Sequence, residues 1–275
     1  MTTRRLLLLC LLAISCKSVE VKGDAPPPTL PTQELQVTQS LTEFKLKYTA
    51  TIASTESVTI ESANYEVVVD GKVTATKQSK VNLTIAAGTS VPFTLEETTK
   101  YVASSEELAA LDTKGGSLLA AIRGTLTVIA PNTKPQTVEF ARSREVRVPR
   151  LPHMKFQEFE AGRYSEDEAG VTFHVGVYNP NPFDVQLTAI TYKVQIAGKP
   201  VGDGVIGKGE RVNPSSTGVF DIEAKVTADS HGGPAEVKKL IKTRVMPYVI
   251  SGTLKSDLFE EPFEFKGDIR LNASK

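Results

Sequence analysis

Between residues 44 and 50 apolar and polar side chains alternate: Phe44, Leu46, Tyr48 and Ala50 share one face, two lysines and a threonine the other. That period of two belongs to a strand with one buried side. The same pattern returns at Val58 and Ile60, at Tyr65, Val67 and Val69, at Val81, Leu83 and Ile85, and at Val91, Phe93 and Leu95. Asp70-Gly71 between two such runs predicts a tight hairpin. The pattern then breaks. Ser104 to Leu111 reads as a short helix, with a serine N-cap and Glu106 and Glu107 in its first turn. Gly115-Gly116 ends it, and Leu118 to Ile122 is expected to add a helical turn. Strands follow at Thr125 to Ile129, Thr137 to Phe140 and Glu145 to Val148.

A second series repeats the first. Strands are predicted near Lys155 to Glu160, Val171 to Tyr178, Val185 to Ile196, Lys199 to Ile206 and Gly218 to Val226. A helix opened by Gly232-Gly233-Pro234 spans Ala235 to Lys242, with proline suited to the first turn. Val249 to Lys255 and Pro262 to Leu271 close the series. Tyr192-Lys193-Val194-Gln195-Ile196-Ala197-Gly198-Lys199 echoes Tyr65-Glu66-Val67-Val68-Val69-Asp70-Gly71-Lys72 at a shift of 127 residues. Gly124-Thr125-Leu126 matches Gly252-Thr253-Leu254 at a shift of 128. These points together identify two diverged copies of one module. The expected fold is all-β with minor α: two tandem immunoglobulin/fibronectin-III-like antiparallel β-sandwiches, residues 33–148 and 149–275, each with one short helix plugging an open end.

The copies differ at one place. Where the first has Ile52-Ala53-Ser54-Thr55-Glu56, the second has Asn179-Pro180-Asn181-Pro182-Phe183. Each proline sets its own φ and extends the residue before it, and each asparagine can bond the backbone two residues on. The result is a stiff corner between two strands, either a structural turn or a recognition loop on a rigid scaffold. Strand, Asn-Pro-Asn-Pro-Phe, strand, the Tyr192–Lys199 hairpin and a polar segment before Phe220 resemble the group 2 late-embryogenesis-abundant (LEA type 2) proteins, which share the water-stress-and-hypersensitive-response (WHy) domain. The resemblance is best from Phe156 to Leu271. It implies a β-sandwich with a short helix, a link to water stress and desiccation, and no catalytic site.

The start of the chain reads as an export signal. Arg4 and Arg5 precede an apolar Leu6 to Ile14, and Ala13-Ile14-Ser15-Cys16 resembles a bacterial lipobox, with Ala at a position where Leu is commonest. On that reading residues 1–15 are removed and Cys16 carries the lipid. Residues 16–32 are a Pro-rich tether, in which Ala25 to Pro31 favours polyproline II. Of the two cysteines, Cys10 is discarded and Cys16 acylated, so the folded part has neither a disulfide nor a thiolate metal site. The expected location is the bacterial envelope. Lys17 stands where an Asp would retain the protein at the inner membrane, which favours the outer one.

Charge and candidate chemistry add restraint. Without Arg4 and Arg5, 30 basic residues face 32 acidic ones, so no basic field attracts nucleic acid. His153, His174 and His231 are isolated, and His174 is expected to be exposed. The densest acidic run, Ser165-Glu166-Asp167-Glu168, lacks the later ligand that a calcium loop needs. No Gly-x-Ser-x-Gly elbow or phosphate-cradling loop is present. No catalytic residue, metal or cofactor is expected. The reading is a non-enzymatic envelope module for protection or binding, with the membrane and a protein or lipid ligand as partners. The alternative is carriage of a lipid or other hydrophobic ligand.

Overall fold

The computed structural model describes residues 26–165 and 168–271, so the signal segment and Cys16 lie outside the described residues. The first module runs β1 (Thr29–Gln39), β2 (Glu43–Ser54), β3 (Val58–Val69), β4 (Lys72–Ile85), β5 (Thr89–Lys100), α1 (Ser105–Lys114), β6 (Ser117–Ile129) and β7 (Gln136–Arg147). The second runs β8 (His153–Tyr164), β9 (Ala169–Asn179), β10 (Val185–Gln186), β11 (Ala189–Ile196), β12 (Lys199–Ile206), β13 (Arg211–Val212), β14 (Ser216–Val226), α2 (Ala228–His231), α3 (Pro234–Thr243), β15 (Val245–Lys255) and β16 (Glu260–Arg270).

Two sheets make each module. In the first, the order β1-β2-β5 packs on β4-β3-β6-β7; in the second, β8-β9-β14 packs on β12-β11-β15-β16, with β10-β13 as a short extra ladder. The orders correspond strand for strand, so the duplication read from sequence is a duplication of topology. The repeat signals also acquire a contact. Tyr65 lies opposite Gly124 across β3 and β6, and Tyr192 opposite Gly252 across β11 and β15.

Alternation places one side of each strand in a core. Phe44, Leu46, Tyr48, Ile52, Ile60 and Ile122 fill the first, and Phe173, Val175, Ile190, Val194 and Ile250 the second. Burying such a side chain contributes about 1.5–3 kcal/mol. The β3–β4 hairpin turns on Asp70 and Gly71, both at positive φ (49° and 83°). Its counterpart turns on Ala197 and Gly198 (50° and 73°), where alanine tolerates a left-handed conformation at some cost.

Five expectations need correction. The first strand begins at Thr29, inside the expected tether, because Pro31 sits at a register shift of an edge strand, where no ladder donor is needed. Leu118 to Ile122 is strand: Leu118, Ala120 and Ile122 are buried while Leu119 is 48% exposed, an alternation that an all-apolar run conceals. Thr137 to Phe140 and Glu145 to Val148 belong to one strand, β7. Val185 to Ile196 is two strands, because Leu187 turns to exchange hydrogen bonds with Gly209 and Glu210. The second module has a further helix, α2, built on a capping box between Thr227 and Ser230.

The helix of the first module also does more than plug its own sandwich. Ser104 caps α1 by accepting from the Glu107 N–H at 3.3 Å, and the Glu107 carboxylate accepts from the Ala103 N–H at 2.8 Å. Yet Leu108, fully buried, and Val102 belong to the core of the second module, while Leu111 and Tyr101 touch both cores.

Candidate functional site

The corner that distinguishes the second copy is turned inward. Asn179 and Asn181 are buried, with 0% and 1% exposure, Pro180 and Phe183 are half-buried, and Pro182 is exposed. The Asn179 Nδ2 donates to the carbonyls of Phe183 (2.7 Å), Val212 (3.1 Å) and Asn213 (3.1 Å). Its Oδ1 accepts from the backbone N–H of Asn181 at 3.0 Å and from the Asn181 Nδ2 at 2.9 Å. The Asn181 carbonyl accepts from the Ser215 N–H at 2.9 Å. The Phe183 ring packs against the second core.

The remaining capacity of Asn181 goes to one residue. Its Oδ1 accepts from the Arg150 N–H and its Nδ2 donates to the Arg150 carbonyl, both at 2.7 Å. The side-chain amide thus mimics a strand partner for a segment that has none. Arg150 stands between the modules, in Val148-Pro149-Arg150-Leu151-Pro152. Val148 is in the first core, Leu151 packs on the second, and Pro149 and Pro152 are buried. The Arg150 guanidinium reaches back to α1, where Nη1 donates to the Asp112 carbonyl and lies 3.5 Å from its carboxylate. That exposed ion pair is worth about 0–1 kcal/mol. Leaving a buried amide unsatisfied costs about 1–3 kcal/mol, so the Asn181 contacts dominate. Sequence reading named the corner but missed Arg150, Asp112 and Leu108. The paired prolines around Arg150 were the one available signal.

Beside this junction, Tyr101 ties down the β1–β2 turn. Its hydroxyl donates to the carbonyls of Ser40 (2.6 Å) and Leu41 (2.8 Å), and its ring stacks on Phe44 at 4.1 Å. Burial pushes the hydroxyl well above the usual tyrosine range, keeping it a donor. Glu261 on β16 is the strained member. Its Oε2 is buried and has no hydrogen-bond partner among the described residues. Burial first, and the charge of Asp112 second, raise its pKa above the ordinary 4.5. A raised folded value means that the protonated form is favoured in the fold. The associated stability is fully present below pH 4.5 and is lost as pH rises through the raised value. Glu261→Gln is therefore expected to raise Tm at pH 7, with the gain shrinking as pH falls through the raised value and vanishing below about 4.5. Thermal unfolding at pH 7 and pH 4 checks this; an equal gain at both would refute it.

Elsewhere the candidates have ordinary roles. His174 is half-buried rather than exposed, with Nδ1 2.7 Å from the Asp221 carboxylate. His231 is buried against Ser230 Oγ and the Ile196 carbonyl, and His153 packs edge-on to Tyr178. Of the acidic run, Glu166 and Asp167 lie outside the described residues, and Glu168 pairs with Lys225. No cluster of three metal-ligating side chains occurs among the described residues. An open cleft of about 1060 Å³ on the first module is lined by Glu66, Lys77, Arg123, Glu139 and Arg142 together with Tyr65 and Phe140. Among the described residues no helix is long and apolar enough to cross a membrane.

Comparison with known proteins finds a similarity within the second module. Residues 174–270, from β9 to β16, match the family described as late embryogenesis abundant protein. The match lies inside the stretch where the motifs resembled that family. No curated protein matches. Among solved structures, a protein from Archaeoglobus fulgidus is 13% identical, covering 44% of this chain and all of its own, at a TM-score of 0.30. One from Arabidopsis thaliana is 18% identical, covering 46% of this chain and 88% of its own, at 0.36. The beta-glucuronidase of Bacteroides uniformis is 13% identical; 82% of this chain aligns with 26% of that one, at 0.31.

Proposed function

We propose that this chain is a non-enzymatic, LEA-type protective or binding module of the bacterial envelope, held to the membrane through lipid on Cys16. The observation that carries the reading is the late-embryogenesis-abundant match over residues 174–270, which falls on a fully packed β-sandwich. Protection in this chain is the work of a folded surface: the two cores take up most of the large apolar residues and leave largely polar strand faces to water. The Pro-rich residues before β1 hold that body away from the bilayer. Two or more acyl chains, each CH₂ contributing ~0.8 kcal/mol, anchor it stably.

The test uses the soluble chain from Lys17 to Lys275, which retains all of β1. A desiccation-sensitive dehydrogenase is dried and rehydrated with this chain or with an inert globular protein at equal mass. Clearly higher recovered activity with this chain is expected, and equal recovery overturns the protective reading. For the anchor, Cys16→Ser is expected to move the protein from the membrane to the soluble fraction of cells. Continued membrane association of that variant would remove the lipid from the proposal.

A further inference from the structure

We propose that the Asn179–Pro182 corner is a coupling device: by holding Arg150 it joins the two modules into one cooperative body, in which the family-matching second module does not unfold independently. Four observations carry this. The hydrogen-bonding atoms of both asparagine side chains are turned to the protein's own backbone and to each other, in a buried setting. Asn181 grips Arg150 at both its N–H and its carbonyl, so it holds the linker by its backbone whatever the linker side chain. The linker is buried on both flanks and sends Val148 into one core and Leu151 onto the other. The first module in turn supplies Leu108 and Val102 to the second core.

The first copy provides an internal comparison. At the position of Asn181 it has Ser54, whose hydroxyl donates to the Glu56 carbonyl at 2.7 Å and accepts from the Glu56 N–H at 3.3 Å. The same corner of the fold can therefore be closed locally, by a serine turn. What asparagine adds is reach: its longer amide extends to a segment 31 residues earlier in the chain. The stiffness of Pro180 and Pro182 holds that amide in place.

The experiment is residue-resolved amide hydrogen exchange on the soluble chain from Lys17 to Lys275, read at the central strands β3 and β11, one from each module. In the native chain both strands are expected to exchange through the same opening, with one denaturant dependence. Asn181→Ala is expected to speed exchange about tenfold in β11 and by a similar factor in β3. Should that variant fail to fold, Asn181→Ser, which installs the residue the first copy carries at this position and is too short to reach the Arg150 backbone, is expected to speed both strands together by roughly threefold or more. Different denaturant dependences in the native chain, or acceleration confined to one strand, would overturn the coupling. Protection unchanged in both strands would do the same.

Discussion

Gly252→Ala is expected to destabilise the protein by about 3 kcal/mol or more, at the upper end of overpacking costs. A Cβ at Gly252 would lie 2.0 Å from the Thr191 carbonyl oxygen and 2.7 Å from the Phe263 ring. The first contact decides the matter. A ring edge can turn aside, but Thr191 is backbone of β11, paired with β15 along its whole length. Relief requires opening the central ladder of the sheet. Gly124→Ala repeats the case in the first module, with its Cβ 2.2 Å from the Asn64 carbonyl oxygen. Neither position has positive φ, so the requirement is space rather than conformation. Gly209 is the control: its φ is +73° and its Cβ would meet nothing within 4 Å, so alanine there carries only left-handed strain of about 1–2 kcal/mol. Urea unfolding of the three variants should rank Gly252→Ala and Gly124→Ala well below Gly209→Ala. A loss under ~1 kcal/mol at Gly252 would mean that the strands adjust freely.

The second large effect belongs to α1. Leu108→Ala is expected to cost about 2–5 kcal/mol, the range for removing a fully buried leucine. The informative part is where the loss is felt. Leu108 is encoded in the first module but is 0% exposed within the second core, alongside Val237 of α3. Unfolding of the second module, followed by exchange of β11 amides, should therefore respond to Leu108→Ala at least as strongly as to Val237→Ala. If β11 were indifferent to Leu108→Ala and only β3 responded, α1 would belong energetically to its own module alone. Against a typical domain stability of about 5–15 kcal/mol, either glycine change or this one removes a large fraction of the total.

Both predictions rest on features that the sequence half revealed. The tyrosine and glycine of each copy stood out as matching points, but nothing local said that they face one another across a ladder. Ser104 to Leu111 was legible as a capped helix, with nothing to say which core its leucines would enter. The Asn-Pro corner was visible as a rigid turn. Its grip on Arg150 was not, because that contact joins residues 31 apart through a side chain whose reach no periodicity encodes.

What the sequence by itself determined is local or repeated. Period-two alternation set most of the long strands and their buried side, Asp70-Gly71 set a hairpin, and the 127-residue echo set two copies of one topology. These follow from backbone geometry acting over a few residues. The tertiary structure decided the rest. It made strand of Leu118 to Ile122, whose unbroken apolar run hides its period, and drew Thr29 to Pro31 out of the tether into β1. It placed α1 in the second core and turned a stiff corner into the holder of the linker. Each of those outcomes depends on which surface is nearest after folding, a property of the whole packed chain that no window of the sequence contains.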